Sequence, residues 1–133
     1  MRLKTITAIA VGILWPSFAL AQTTLSLSIP SAINPANSTF EANLSELPAD
    51  GSSIVILTAK ALDDNLLVLA DKQVIVTSNR GEIDTIRCYQ GNTLLETNET
   101  TTDATGVARC AAWSSVAVQA TFSAEVDSVT LNN

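Results

Sequence analysis

Histidine is absent from this 133-residue chain. Its absence excludes Ser-His-Asp triads, histidine metal sites and imidazole acid–base chemistry. Positive charge is scarce: seven Lys and Arg stand against 13 Asp and Glu, a formal net charge of −6. Acidity without a basic cluster argues against nucleic acid and against anionic membrane surfaces as partners. Ser and Thr are abundant, but Lys60 and Lys72 have no Ser-x-x-Lys motif beside them to activate a hydroxyl. The dense acidic spots, Asp63-Asp64 and Glu82 with Asp84, read as turn residues rather than a glycosidase pair. The chain is too short for two conventional domains, and no stretch has a convincing helical period. A noncatalytic domain without a cofactor is therefore expected, with a small secreted hydrolase as a distant alternative.

What is present begins with a leader. Residues 1–4 include Arg2 and Lys4, residues 6–14 are nearly all apolar, and Ala19-Leu20-Ala21 places small residues before a cleavage point. That order is the pattern of a secretory signal peptide over residues 1–21, too short and too broken by Pro16 to span a membrane. Gln22 follows the cut, so lipid attachment at a cysteine is not expected. Without the leader, five basic residues face 13 acidic ones, and no other apolar run is long enough to span. The mature chain should be soluble, in the periplasm, at the cell surface or outside the cell.

Beyond the leader, apolar residues alternate with a period of two, the mark of half-buried strands. Leu25-Ser26-Leu27-Ser28-Ile29 alternates strictly and stops at Pro30. In residues 53–62, Val55, Leu57, Ala59 and Ala61 share one face, with Ile54, Ile56, Thr58 and Lys60 on the other. Val74 and Val76 pair in the same way, as do Ala108, Cys110 and Ala112 opposite Val107, Arg109 and Trp113. Val116, Val118, Ala120, Phe122 and Ala124 predict the longest apolar face of all. Turn signals at Pro48-Ala49-Asp50-Gly51, Asp63-Asp64-Asn65, Asn79-Arg80-Gly81 and Asp103-Ala104-Thr105-Gly106 punctuate these runs. Residues 62–69 are apolar enough to be ambiguous. Short strands at this spacing predict an all-β sandwich or barrel.

Leu47-Pro48-Ala49-Asp50-Gly51-Ser52-Ser53, followed by Ile54-Val55-Ile56-Leu57-Thr58-Ala59, resembles the opening of the bacterial Ig-like repeats of invasin and intimin, the Big-1 type. Thr101-Thr102-Asp103-Ala104-Thr105-Gly106-Val107-Ala108 is similar to the turn leading into a late strand of that family. Asp63, Asn65, Ala70 and Val74 fall in register with its middle motif. The resemblance spans residues 38–124 and implies an antiparallel Ig-like β-sandwich of cell-surface and adhesin proteins. It divides the chain into a leader at 1–21, an N-terminal strand or extension at 22–37 and a sandwich at 38–133. The chain departs from the family where Leu66-Leu67-Val68-Leu69 replaces a Gly- and Pro-containing turn, and in the short turn Trp113-Ser114-Ser115. A single copy is expected, without internal repeat or anchor.

Cys88 and Cys110 are the two cysteines of a chain addressed out of the cytoplasm, and they read as one disulfide. A redox pair lacks Cys-x-x-Cys spacing, and zinc lacks ligands. Asp50, Asp63, Asp64 and Asp103 are weak calcium candidates, because calcium takes loop oxygens, but Asp also simply stabilises turns. The three Asn-x-Ser/Thr triplets at Asn37, Asn43 and Asn98 are coincidental in a bacterial protein, and Arg80-Gly81-Glu82 carries no integrin signal.

Alternation pushes Ile54 and Ile56 outward if Val55 and Leu57 face the core, and Trp113 outward if Cys110 faces in. With the Leu66-Leu67 loop, these are the candidate partner surface, contacting another protein or a cell-surface component. The competing expectation is that Leu67 and Leu69 plug the end of the sandwich. The expected role is a binding or structural module in adhesion or the periplasm. The alternative is a subunit of a larger extracellular assembly, joined by N-terminal strand addition. Oligomeric state is left open by the sequence.

Overall fold

The structure, a computed structural model, describes residues 31–132. The leader and the strand expected at residues 25–29 lie outside the described residues.

Among the described residues nine strands form: β1 (Thr39–Ala42), β2 (Val55–Lys60), β3 (Gln73–Ser78), β4 (Thr85–Gln90), β5 (Thr93–Leu94), β6 (Glu99–Thr101), β7 (Val107–Trp113), β8 (Phe122–Val126) and β9 (Val129–Asn132). They pair antiparallel throughout, in a first sheet ordered β1-β2-β7-β4-β5 and a second ordered β6-β3-β8-β9. This is an all-β, Ig-like sandwich, as the alternation and the family resemblance predict. Val55, Leu57 and Ala59 of β2 enter the core beside Ala108, Cys110 and Ala112 of β7. From the second sheet, Val74, Val76, Ala124, Val126 and Leu131 meet them. Full burial of a side chain such as Leu57 stabilises the fold by about 1.5–3 kcal/mol.

The sheets are joined along one side by the chain itself. Cys88 N–H donates to Thr97 O at 2.8 Å, and Val76 N–H donates to Asn98 O at 3.0 Å. Residues 95–98 thus leave the edge of the first sheet and join the second. At the end of the sandwich where β2 finishes, buried Thr102 accepts from Lys72 N–H at 2.9 Å and donates to Leu69 O at 2.6 Å. A buried hydroxyl with both roles satisfied costs little and fixes two loops together. Gly106 lies against this junction with φ 76°, and a Cβ there would approach Ala61 O to 2.9 Å. Only glycine fits. Ile33, ahead of β1, is buried, and Asn34 N–H donates to Leu62 O at 2.8 Å.

One strand expectation is corrected. Residues 116–121 are not strand, and Val116 and Val118 are exposed; only Phe122–Val126 pairs. The reason is the partner. β3 pairs with β8 only as far as Ser78 opposite Phe122, and Asn79 then closes the ladder through hydrogen bonds with Thr121 at 3.0 and 2.8 Å. Beyond that point the carbonyls of Val116 and Val118 accept from one Arg80 guanidinium nitrogen, at 3.0 and 2.8 Å. Apolar alternation continues without a neighbouring strand, so a tethered loop forms. The ambiguous stretch at residues 62–69 is likewise a loop, closed by a single bridge between Leu62 and Val68.

Cys88 and Cys110 form a disulfide. They stand directly opposite each other on the neighbouring strands β4 and β7. The bond therefore staples the first sheet, not the two sheets together, and closes a sequence separation of 22 residues.

Candidate interaction surfaces

The partner surface expected from the sequence divides in two. Ile54, Ile56 and Trp113 come together on the outer face of the first sheet, whereas Leu66 and Leu67 lie on a loop at one end of the sandwich.

The outer face follows from strand parity. Register places Thr85 opposite Trp113 and Arg87 opposite Ala111, with Ile56 on the other side of Ala111. Tyr89 is opposite Leu94 on β5. The Arg87 guanidinium lies over the Trp113 ring at 5.7 Å, and that of Arg109 over Tyr89 at 5.9 Å. Such contacts contribute about 0.5–1 kcal/mol each at exposed positions. Flanked by Ile56 and Arg87, small Ala111 is buried even though it points outward. Arg87 is further paired with Glu96, at 2.7 Å. Trp113, Tyr89 and Ile56 are half-buried and Ile54 is exposed, so the face is a shallow apolar and cationic platform. Arg109 shares Trp113's face as the alternation predicts, and Arg87 and Tyr89 are the unforeseen members. The signal was present in Thr85-Ile86-Arg87-Cys88-Tyr89-Gln90, where long side chains alternate with Ile86 and Cys88, but polar outward residues hid the strand.

The loop is set by Asp63. Its carboxylate accepts from Asn65 N–H at 2.8 Å and Leu67 N–H at 2.9 Å, and Leu66 takes a left-handed φ of 64°. Leu66 and Leu67 project into solvent at 64 and 62 % exposure, while Leu69 is buried. Leu69 is the plug and Leu67 is not.

A cleft of about 860 Å³ opens at the other end, between residues 42–49 and the loop at 113–122. Its ionisable lining consists of Glu46, Arg80 and Asp84. Arg80 and Asp84 form a buried ion pair, with Ser78 Oγ also donating to the Asp84 carboxylate. Burial, the largest single influence, pushes the Asp84 carboxyl up, but hydrogen bonds from Arg80 and Ser78 together outweigh it and hold the group low. The pair braces the loop at 113–122 through the Val116 and Val118 carbonyls.

The aspartates singled out for calcium are spread over separate turns, and only Asp63 and Asp64 are neighbours. Asp50 accepts from Ser52 and Ser53 N–H at 2.8 and 2.6 Å, and Asp103 from Thr105 and Val107 N–H at 2.8 and 3.1 Å. Asp64 accepts from Asn34 Nδ2 at 2.6 Å. The side-chain hydrogen bond from Ser53 and the backbone bonds hold the Asp50 carboxyl well below its usual range. Asp63 is lowered chiefly by Leu67 N–H, and Asp103 chiefly by the Thr105 hydroxyl. Among the described residues no three potential metal ligands gather.

Comparison with known proteins found no matching family model and no matching curated protein. Among solved structures, the fold is similar to the C-terminal 282-residue fragment of intimin, solved in complex with the intimin-binding domain of the translocated intimin receptor, Tir. The TM-score is 0.58 at 16 % identity, over 77 % of this chain and 31 % of the fragment. At that identity the likeness establishes the fold, and this chain spans about a third of the fragment's length.

Proposed function

We propose that this chain is a noncatalytic Ig-like module acting outside the cytoplasm, where it binds a protein or cell-surface component in adhesion or in the periplasm. The observation that carries the reading is the gathering of Ile54, Ile56, Trp113 and Tyr89 on one solvent-facing sheet surface. Cross-strand stacking with Arg87 and Arg109 accounts for part of this set, and an exposed apolar cluster of this kind marks a contact surface. Location outside the cytoplasm is supported by the leader pattern and by the Cys88–Cys110 disulfide, which persists in oxidising compartments. Binding to a protein is supported by the intimin fragment, whose structure holds a protein receptor.

The test measures binding of the purified, labelled chain to intact source cells, alongside folding by circular dichroism. Trp113→Glu should fold and weaken binding by about tenfold or more, the loss expected when an aromatic anchor is removed. Leu67→Glu reports separately on the loop. Unchanged binding in both variants, or a cytoplasmic chain with reduced cysteines, would contradict the reading.

A further inference from the structure

We propose that the outer face of the first sheet docks onto the outer face of the second sheet of another copy of this chain, so that chains stack head to tail. This goes beyond the binding role above, and it rests on the charges of the two faces.

Of the five basic residues beyond the leader, three lie on the outer face of the first sheet: Lys60, Arg87 and Arg109. Arg87 is neutralised by Glu96. Lys60 and Arg109 make no ion pair among the described residues; Arg109 lies over the Tyr89 ring and acts at longer range on Asp103, and Glu41 of β1, diagonal to Lys60 on the same face, is likewise without an ion pair. They are diagonal neighbours, because Lys60 pairs with Val107 and Thr58 with Arg109. Diagonal positions on adjacent strands are about 7–8 Å apart.

The second sheet presents the complement. Its outer face carries Thr77, Ser123 and Thr130 around Ile75, and Ile75 stands between Glu99 on β6 and Glu125 on β8. Neither glutamate has an ion-pair partner among the described residues. Two strand spacings separate them, about 10 Å. Two unpaired cations and two unpaired carboxylates thus stand at nearly the same spacing, within reach of flexible side chains. Ile75, half-buried between the carboxylates, would meet the Thr58 surface between Lys60 and Arg109 of the next copy.

Charge also selects the arrangement. Docking the second face on itself sets carboxylates against carboxylates, which is penalised, whereas the first face, with Lys60, Arg87 and Arg109 against Glu41 and Glu96, keeps a positive balance. The unlike pairing brings opposite charges together, and because it uses different surfaces on each copy it propagates in a row rather than closing a dimer.

The experiment is light scattering on the full chain at rising concentration, at low and high salt. Wild type should associate into species longer than dimers, and less so at high salt, where screening shortens to a few ångströms. Arg109→Glu and Glu125→Lys should each be monomeric, their self-association weakened by about tenfold or more. Mixed together they should associate again, because each variant retains the face the other lacks and the two reversed charges complement each other. Lys60→Glu repeats the first arm should Arg109→Glu not fold, and circular dichroism reports folding in every case. A wild type that is monomeric at low salt up to its solubility limit overturns the proposal, even if it still binds cells. So does association that survives Glu125→Lys, or a mixture of the two variants that stays monomeric.

Discussion

On the outer face of the first sheet, Ile, Trp and Tyr share the surface with Lys and Arg. On the outer face of the second, Thr, Ser and Glu fill the equivalent positions around one isoleucine. Both faces obey the same alternation and back onto the same core, so packing does not explain the difference. Inward positions are fixed by the need to fill the space between sheets. Outward positions are free of that demand, and under the function proposed above what they hold reflects contact with a partner. The first sheet is also the covalently stapled one, through Cys88 and Cys110, whereas the turns anchored by Asp63, Asp84 and Asp103 join strands of one sheet to strands of the other.

The largest effect should come from the element both faces share. Leu57→Ala, at a fully buried position, should cost about 2–5 kcal/mol in denaturant unfolding and abolish the properties of both faces together. Loss of one face alone would show that the sheets fold independently.

Removing the staple comes next. Replacing Cys88 and Cys110 together by Ala should cost about 3 kcal/mol, the value for closing a loop of this length. Hydrogen exchange should quicken in β4 and β7 more than in β3 and β8. Equal quickening in both sheets would remove the distinction between them.

Acid should act on the turns that join the sheets, with a smaller effect. The carboxyls of Asp50, Asp63, Asp84 and Asp103 are held below their usual value in the folded chain. Their stabilisation is complete above the unfolded value of about 4 and is lost as pH falls through the lower folded values. The melting temperature should be flat down to about pH 5 and fall below pH 4. Asp84→Asn should lower it at neutral pH and flatten the acid slope, since Arg80 loses its buried partner.

The smallest effects on stability should be those on the faces themselves. Trp113→Ala and Thr77→Ala should each change stability by less than about 1 kcal/mol. Only Trp113→Ala should also change binding to cells.

Strand parity and turn chemistry were legible before the fold was known. Val55, Leu57 and Ala59 point in, Ile54 and Ile56 point out, and Asp50, Asp63 and Asp103 each cap the turn in which they were placed. Alternation reports which way a side chain points but not whether a neighbouring strand is there to pair with, which is why residues 116–121 read as strand. β1, β5, β6 and β9 span two to four residues each, too few for a period to register. The surface was half legible for the same reason. Ile54, Ile56, Arg109 and Trp113 follow from parity within a strand, whereas their union with Arg87 and Tyr89 depends on β4 lying beside β7.

The most direct test of the two-face account is a concentration series of amide NMR spectra of the full chain at low salt. Shifts confined to two patches, one around Ile56, Arg109 and Trp113 and one around Ile75, Glu99 and Glu125, are the predicted result. Spectra that do not change with concentration, or shifts on one face without the other, would contradict it.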